Sequence, residues 1–277
     1  MRTLGIIGGT GPETTVEYYR RLIAGFRERS PERRAPSLVI NSIDNKKVVD
    51  LVTANELAAL TDFLVAEMER LAHAGAGLGL IAANTPHLVF DEVQRRTRIP
   101  MLSIVAATCE AAATAGLRRL ALFGTRFTMQ AAFFPEIFQR RQIAIVVPND
   151  AEQTYIHDKY MNELFVNVIL PETRAGLVEI VRAMKGRDGI DGLILGGTEL
   201  SLILREGTLE GLPVLDTTQI HVDAALKCRS DPLAILCIDC SDAHDLRSIF
   251  VEHSDRIVVD FQLAATLGDA CVSAVIG

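Results

Sequence analysis

The sequence predicts an α/β chain built from two pseudo-symmetric halves, each a parallel sheet with helices on both faces. Three observations predict it. Short apolar runs alternate with longer stretches of helical period, as when parallel strands are joined through crossover helices. The runs are apolar throughout, as in Leu78-Gly79-Leu80-Ile81-Ala82 and Gly192-Leu193-Ile194-Leu195. Strands covered on both faces read in this way. The chain also repeats itself. Thr85 and Thr198 stand 113 positions apart, and the same shift lays Gly79-Leu80-Ile81 on Gly192-Leu193-Ile194 and Pro100-Met101-Leu102 on Pro213-Val214-Leu215. It also lays Glu110 on Asp223 and Ala111-Ala112 on Ala224-Ala225. At an offset of 115, Gly5-Ile6-Ile7-Gly8-Gly9-Thr10 is similar to Ala121-Leu122-Phe123-Gly124-Thr125. A period this long indicates two lobes rather than a solenoid.

In chain order, the first half offers strands at 3–7, 37–43, 78–82 and 101–105. The stretch 56–73 has helical spacing, with Leu57, Leu60, Leu64, Met68 and Leu71 on one stripe. The second half offers strands at 120–124, 143–147, 192–195 and 213–215. The expected lobes are 1–105 with a return segment at 213–227, and 106–212; the remainder, 228–277, reads as an appendage outside the repeat.

The chain of 277 residues is 49% hydrophobic and 23% charged, enough to bury a sizeable core. Its 28 Lys and Arg against 35 Asp and Glu leave a net charge of −7. That acidity argues against nucleic acid or an anionic membrane as the main partner. No apolar stretch reaches the roughly 18–20 residues of a membrane span, and the chain opens on a strand without a signal-peptide layout. The expected setting is the cytoplasm, with the cysteines reduced. Four of the five, Cys228, Cys237, Cys240 and Cys271, follow residue 227. Cys237-Ile238-Asp239-Cys240 with His244 has a fragment of zinc-site spacing but no second pair. These cysteines read as small buried hydrophobes, and no metal is expected. Gly9-Thr10-Gly11-Pro12-Glu13-Thr14 lacks the third glycine of a dinucleotide fingerprint and the Gly-Lys-Ser/Thr ending of a P-loop. It reads as a strand-to-helix turn.

Ligands of open α/β sheets bind at the carboxyl ends of the strands. Two such ends carry matching segments, Ala83-Asn84-Thr85-Pro86-His87 and Gly196-Gly197-Thr198-Glu199-Leu200. Thr10 and Thr125 occupy the other repeat-related ends. Asn84 brings an amide, and Thr85 and Thr198 bring hydroxyls. Each threonine also suits a helix N-cap. Backbone N–H groups at the following helix starts favour an anion such as a carboxylate. Lys46 and Lys47 follow the second strand; a solvated lysine pair and a partner for a side-chain carboxylate are both open. Thr10, Asn84, Thr85, Thr125 and Thr198 are expected to converge on one pocket for a small carboxylate or amino acid, with Ala83 and Gly197 on opposite walls.

These segments, with Gly8-Gly9-Thr10-Gly11-Pro12-Glu13-Thr14-Thr15 and Phe123-Gly124-Thr125, resemble the aspartate/glutamate racemase family over about residues 1–227. The resemblance implies two flavodoxin-like lobes with the active site between them, and usually a homodimer. It further implies racemisation of an acidic amino acid without pyridoxal phosphate or any other cofactor. The family mechanism uses two thiols, one removing the α-proton and the other returning a proton to the opposite face. The thiols precede Asn-Thr and Thr-Glu. Here those positions are Ala83 and Gly197, neither of which can carry a proton.

His87, whose imidazole suits a base, and Glu199 are the candidate substitutes to move protons, although both also suit helix-start positions. His157 and Lys159, in Tyr155-Ile156-His157-Asp158-Lys159-Tyr160, form a further cluster, although an ordinary polar helix face explains them too. Cys109, among alanines, reads as packing. The leading reading is an isomerase acting on an acidic amino acid without the two-thiol mechanism. The alternatives are a carboxylate- or amino-acid-binding protein that has lost the chemistry, and a decarboxylase or cis–trans isomerase on the same fold. Ala83→Cys with Gly197→Cys is expected to restore racemisation.

Overall fold

The computed structural model describes residues 2–29 and 35–230, which carry two sheets within one compact unit. Strand β1 (Leu4–Gly8) is buried at every position. Helix α1 (Pro12–Arg29) opens on a proline and Glu13 and closes on Arg27 and Arg29, charges that suit its dipole. Then come β2 (Leu38–Ser42), α2 (Asn45–Thr53), α3 (Leu57–His73) and β3 (Leu78–Ile81). A 3-10 turn (Thr85–Val89) leads into α4 (Phe90–Arg96) and β4 (Met101–Leu102). The second half runs α5 (Ile104–Thr114), β5 (Arg119–Phe123), α6 (Arg126–Gln130), α7 (Phe133–Gln139), β6 (Ala144–Val146) and α8 (Asp150–Asn162). It ends with α9 (Pro171–Asp188), β7 (Gly192–Leu195), α10 (Leu200–Ile203), β8 (Thr208–Leu209), β9 (Leu212–Asp216) and α11 (Thr217–Ser230).

The strand orders are β2-β1-β3-β4 and β6-β5-β7-β9-β8. The first four strands of the second sheet repeat the order of the first. The register repeats as well. Ile6 pairs with Leu80 and Ala121 pairs with Leu193, the partners that the two sequence offsets superpose. On α3, Leu60, Leu64, Met68 and Leu71 are buried against Ile7 and Ile81 of the first sheet, with Leu57 partly buried beside them. The 3.6-residue stripe is therefore the core face.

Three expectations are corrected here. The fourth strand ends at Leu102 rather than 105, because the Ser103 hydroxyl accepts from the Ala106 N–H at 3.2 Å and starts α5. Strand β8 adds an antiparallel edge, Thr208 facing Pro213, which the all-parallel expectation lacked. Residues 213–216 of the expected return segment do not join the first sheet: β9 pairs with β7 in the second. Only α11 returns. It packs on α1 and α5, with the Tyr18 hydroxyl 2.8 Å from His221 Nδ1 and Arg21 2.7 Å from Asp216. A strand goes where its backbone finds an open edge, and apolar periodicity does not say which edge is open. The appendage expected at 228–277, with Cys237, Cys240, His244 and Cys271, lies outside the described residues beyond Ser230. Among the described residues no helix is long and apolar enough to cross a membrane.

Candidate functional site

Strands β1, β3, β5 and β7 are the central, repeat-related strands of the two sheets, and the residues just past their carboxyl ends line one cavity of about 70 Å³. After β1 the chain turns at Gly9, whose φ is +87° and whose Cβ would stand 2.3 Å from the Ile43 carbonyl oxygen. Only glycine permits that turn, and it delivers Thr10. Ala83, Asn84 and Thr85 follow β3, Thr125 follows β5, and Gly196, Gly197 and Thr198 follow β7. The cavity thus gathers Thr10, Asn84, Thr85, Thr125 and Thr198, with Ala83 supplied by one half and Gly197 by the other.

Two buried polar atoms on this lining have no partner: Thr10 Oγ1 and Asn84 Oδ1. The orientation of Asn84 follows from its surroundings. The Thr217 hydroxyl donates to the Leu195 carbonyl at 2.7 Å. It must then accept from the Asn84 amide, which donates from Nδ2 at 3.2 Å. Oδ1 is left as the free acceptor. A buried polar group without a partner is costly in a folded protein and calls for an explanation. Beside it, Thr85 Oγ1 lies 3.3 Å from both Thr125 Oγ1 and Thr128 Oγ1, which are 3.2 Å apart. Thr125 also caps α6 by accepting from the Thr128 N–H. The halves therefore meet here through neutral hydroxyls.

On the other wall, Tyr160 of α8 fills the place that a side chain at 197 would occupy. A Cβ on Gly197 would stand 2.4 Å from Tyr160 Cε2. The phenol is buried and donates to the Glu199 carboxyl group. Thr198 donates to Glu199 Oε2 at 2.9 Å, and the Thr14 hydroxyl lies 3.0 Å from both Glu199 Oε1 and Thr198 Oγ1. Gly11 makes room for the carboxyl group: a Cβ there would stand 2.1 Å from Oε1. Burial, and next the adjoining Glu199, hold the Tyr160 phenol well above its ordinary value. It stays protonated, and among the described residues it is the one titratable side chain on the lining.

Apart from Asn45 at the start of α2, the rest of the lining is apolar. Val48, Val49 and Val52 come from α2, Phe127 from α6, Met161 from α8, and Phe165 from the 3-10 turn Leu164–Val166. Among the described residues the cavity has no lysine, arginine or histidine on its wall.

Several sequence candidates stand elsewhere. His87 is buried outside the cavity. It receives the Ile104 N–H at Nε2 (3.2 Å), so the proton sits on Nδ1 and is donated to the Ala83 carbonyl at 2.9 Å. Burial, and then neighbouring His221, push it down to about 3. Both ring nitrogens are engaged, and it cannot act as the expected base. Glu199 is not on the wall but behind it, reached only through Thr198 and Tyr160. Lys47 is exposed and lies over the Phe63 ring, 4.0 Å from its centre, rather than on the cavity wall. Lys46 pairs with Asp50 at 2.5 Å on the surface. His157 accepts from the Arg126 N–H at 3.2 Å, and Lys159 pairs with Glu163; neither lines the cavity. Cys109 is packing, with burial raising its thiol to about 11. The helix starts expected to draw an anion are a 3-10 turn after Asn84 and the four-residue α10 after Thr198. Helices this short sum few peptide dipoles.

Tyr160 is the residue that sequence reading passed over, although its segment was singled out. The signal was present: Gln153, Ile156 and Tyr160 make the buried stripe of α8, which places the tyrosine inward while His157 and Lys159 point away.

Comparison with known proteins adds to this geometry. The sequence model of a family described as Asp/Glu/Hydantoin racemase matches residues 7–225. An aspartate racemase homologue from Pyrococcus horikoshii is 35% identical, with a TM-score of 0.73 over 83% of this chain and 100% of that one. A candidate Asp/Glu racemase from Yersinia pestis is 27% identical, with a TM-score of 0.75 over 82% of this chain and 98% of that one. An uncharacterised protein from the pnlA 3′ region of Pectobacterium carotovorum subsp. carotovorum is 28% identical over 138 residues, 49% of this chain and 84% of its own length.

Proposed function

The chain belongs to the Asp/Glu/Hydantoin racemase family, and on that premise we propose that it is an isomerase that moves the α-proton of an amino acid or related small carboxylate without pyridoxal phosphate. The observation that carries the reading is the cavity at the strand ends of the two halves, with Thr10 Oγ1 and Asn84 Oδ1 buried on its wall and unpartnered. The Asn84 oxygen suits an ammonium donor, and the Thr10 and Thr85 hydroxyls suit a carboxylate. A substrate so held supplies the partners that the folded chain lacks.

The proton chemistry is one-sided. No thiol stands at Ala83 or Gly197, and Tyr160 takes up the space of the second. In the proposed step the Tyr160 proton passes to Glu199 while the phenolate oxygen takes the α-proton. The electron pair left on the α-carbon spreads into the substrate carboxylate. The reverse transfers complete the exchange. Such relays contribute about 10²–10⁴-fold. Because the group works from one face, exchange with retention outruns inversion, which takes its proton from water on the opposite, Ala83 face.

The test is α-proton exchange in deuterated water over a panel of L- and D-amino acids, with enantiomer ratios followed in parallel. Exchange faster than inversion is the expected result. Inversion in step with exchange would overturn the one-sided relay. Tight binding without any exchange would leave a binding protein in place of the isomerase. A homodimer and a cytoplasmic setting belong to the same proposal. Sedimentation at micromolar concentration tests the former, and cell fractionation tests the latter.

A further inference from the structure

The second carboxylate of the acidic substrate expected from the sequence is best held by a cation, and among the described residues the cavity wall has none. The polar atoms crowd one end, at Thr10, Asn84, Thr85, Thr125 and Thr198, which serve one ammonium and one carboxylate. The other end is Val48, Val49, Val52, Phe127, Met161 and Phe165, with the neutral Asn45 of α2 also on the lining. A carboxylate placed among these side chains loses its water and gains no cation, with only the neutral Asn45 amide of α2 beside it, which is unfavourable. Lys47, the sequence's candidate for that role, is on the surface over Phe63. The Glu199 carboxyl group stands behind the Thr198 wall, and the net charge of −7 gives an anion no long-range attraction.

Resting on the reading above, we propose that the substrate of this cavity carries a small uncharged apolar substituent on its α-carbon, received by the Val49–Phe127–Met161–Phe165 end, and that the chain discriminates against aspartate and glutamate.

Leucine, asparagine and aspartate separate the variables, since their side chains branch alike at the γ-carbon and differ in polarity and charge. Titration calorimetry on the full chain, with α-proton exchange of the same three compounds, is the experiment. Leucine is expected to bind at least about tenfold tighter than aspartate, with asparagine between them. Aspartate binding as well as or better than leucine would overturn the inference while leaving the isomerase reading standing. Failure of every amino acid to bind would count against that reading itself, and the inference would fall with it. Val49 is partly exposed on α2, so Val49→Lys installs a cation at the apolar end with little core disturbance. It should move the leucine-to-aspartate ratio at least about tenfold toward aspartate. An unchanged ratio in a folded Val49→Lys protein would show that this end does not read the substituent.

Discussion

Replacing Gly197 by alanine puts the Tyr160 placement at risk in a single measurement. The backbone there is outside the left-handed region, so where space is free alanine should stabilise by about 0.4–1 kcal/mol through the unfolded chain. Space is not free. The new Cβ would lie 2.4 Å from Tyr160 Cε2 and 3.1 Å from Cζ, against an ordinary carbon contact of about 3.5–4.0 Å. The ring must retreat by about 1 Å, inside a core that includes Ile156, Leu164 and Leu200. Overpacking of this kind costs about 1–3 kcal/mol. The retreat also draws the phenol away from Glu199, and a buried group stripped of its hydrogen bond costs about 1–3 kcal/mol more. The expected net loss is about 2–5 kcal/mol, read by urea denaturation. In a Tyr160→Ala background the same change should be neutral or mildly stabilising, giving a coupling above about 1.5 kcal/mol in the double-mutant cycle. Stabilisation in the wild-type background, or additivity within about 0.5 kcal/mol, would refute the placement of Tyr160 against Gly197. The same contact corrects the thiol restoration expected from the sequence, because Gly197→Cys cannot be seated while Tyr160 stands.

Further outcomes follow from the same geometry. Tyr160→Phe should lower α-proton exchange by about 10²-fold or more while changing ligand affinity only a few-fold; equal exchange rates would remove Tyr160 from the chemistry. Asn84→Ala should weaken binding of any amino acid by about 1.4 kcal/mol or more, a tenfold change in calorimetry, and unchanged affinity would mean that Oδ1 is not an acceptor for the ligand. Ala83→Cys alone, on the wall opposite Gly197, should raise inversion relative to exchange by supplying an acid from the second face; a constant ratio would count against the two-wall geometry. For pH, His87 and His221 are held down to about 3 and about 4, burial being the larger cause in both. Each is neutral when folded and protonates near 6.5 when unfolded, so the stability tied to the neutral form is full above that value. It drains as pH falls toward the folded values. From pH 7.5 to 5 the loss is about 2 kcal/mol per imidazole, and denaturation midpoints that stay level over this range would contradict the buried, neutral assignment.

The sequence by itself determined the architecture and the neighbourhood of the site. Strands such as 78–82 and 192–195 were legible because burial on both faces leaves an unbroken apolar run, and α3 was legible from its stripe. Asn84 and Thr198 were legible because a strand end is a local feature and the repeat marks it twice. What tertiary structure alone decided are relations between positions far apart in the chain. Tyr160 and Glu199 are 39 positions apart, and nothing local tells that the phenol occupies the space vacated at Gly197. His87 looked like a base from its nearness to Asn84, yet the 3-10 turn rotates its ring onto the Ala83 carbonyl and the Ile104 N–H and away from the cavity. Lys47 looked like a counter-ion, yet α2 turns it to the surface and offers Val48, Val49 and Val52 inward instead. Local period determines which residues are buried; which buried residues meet depends on how the helices of one half close against the strand ends of the other.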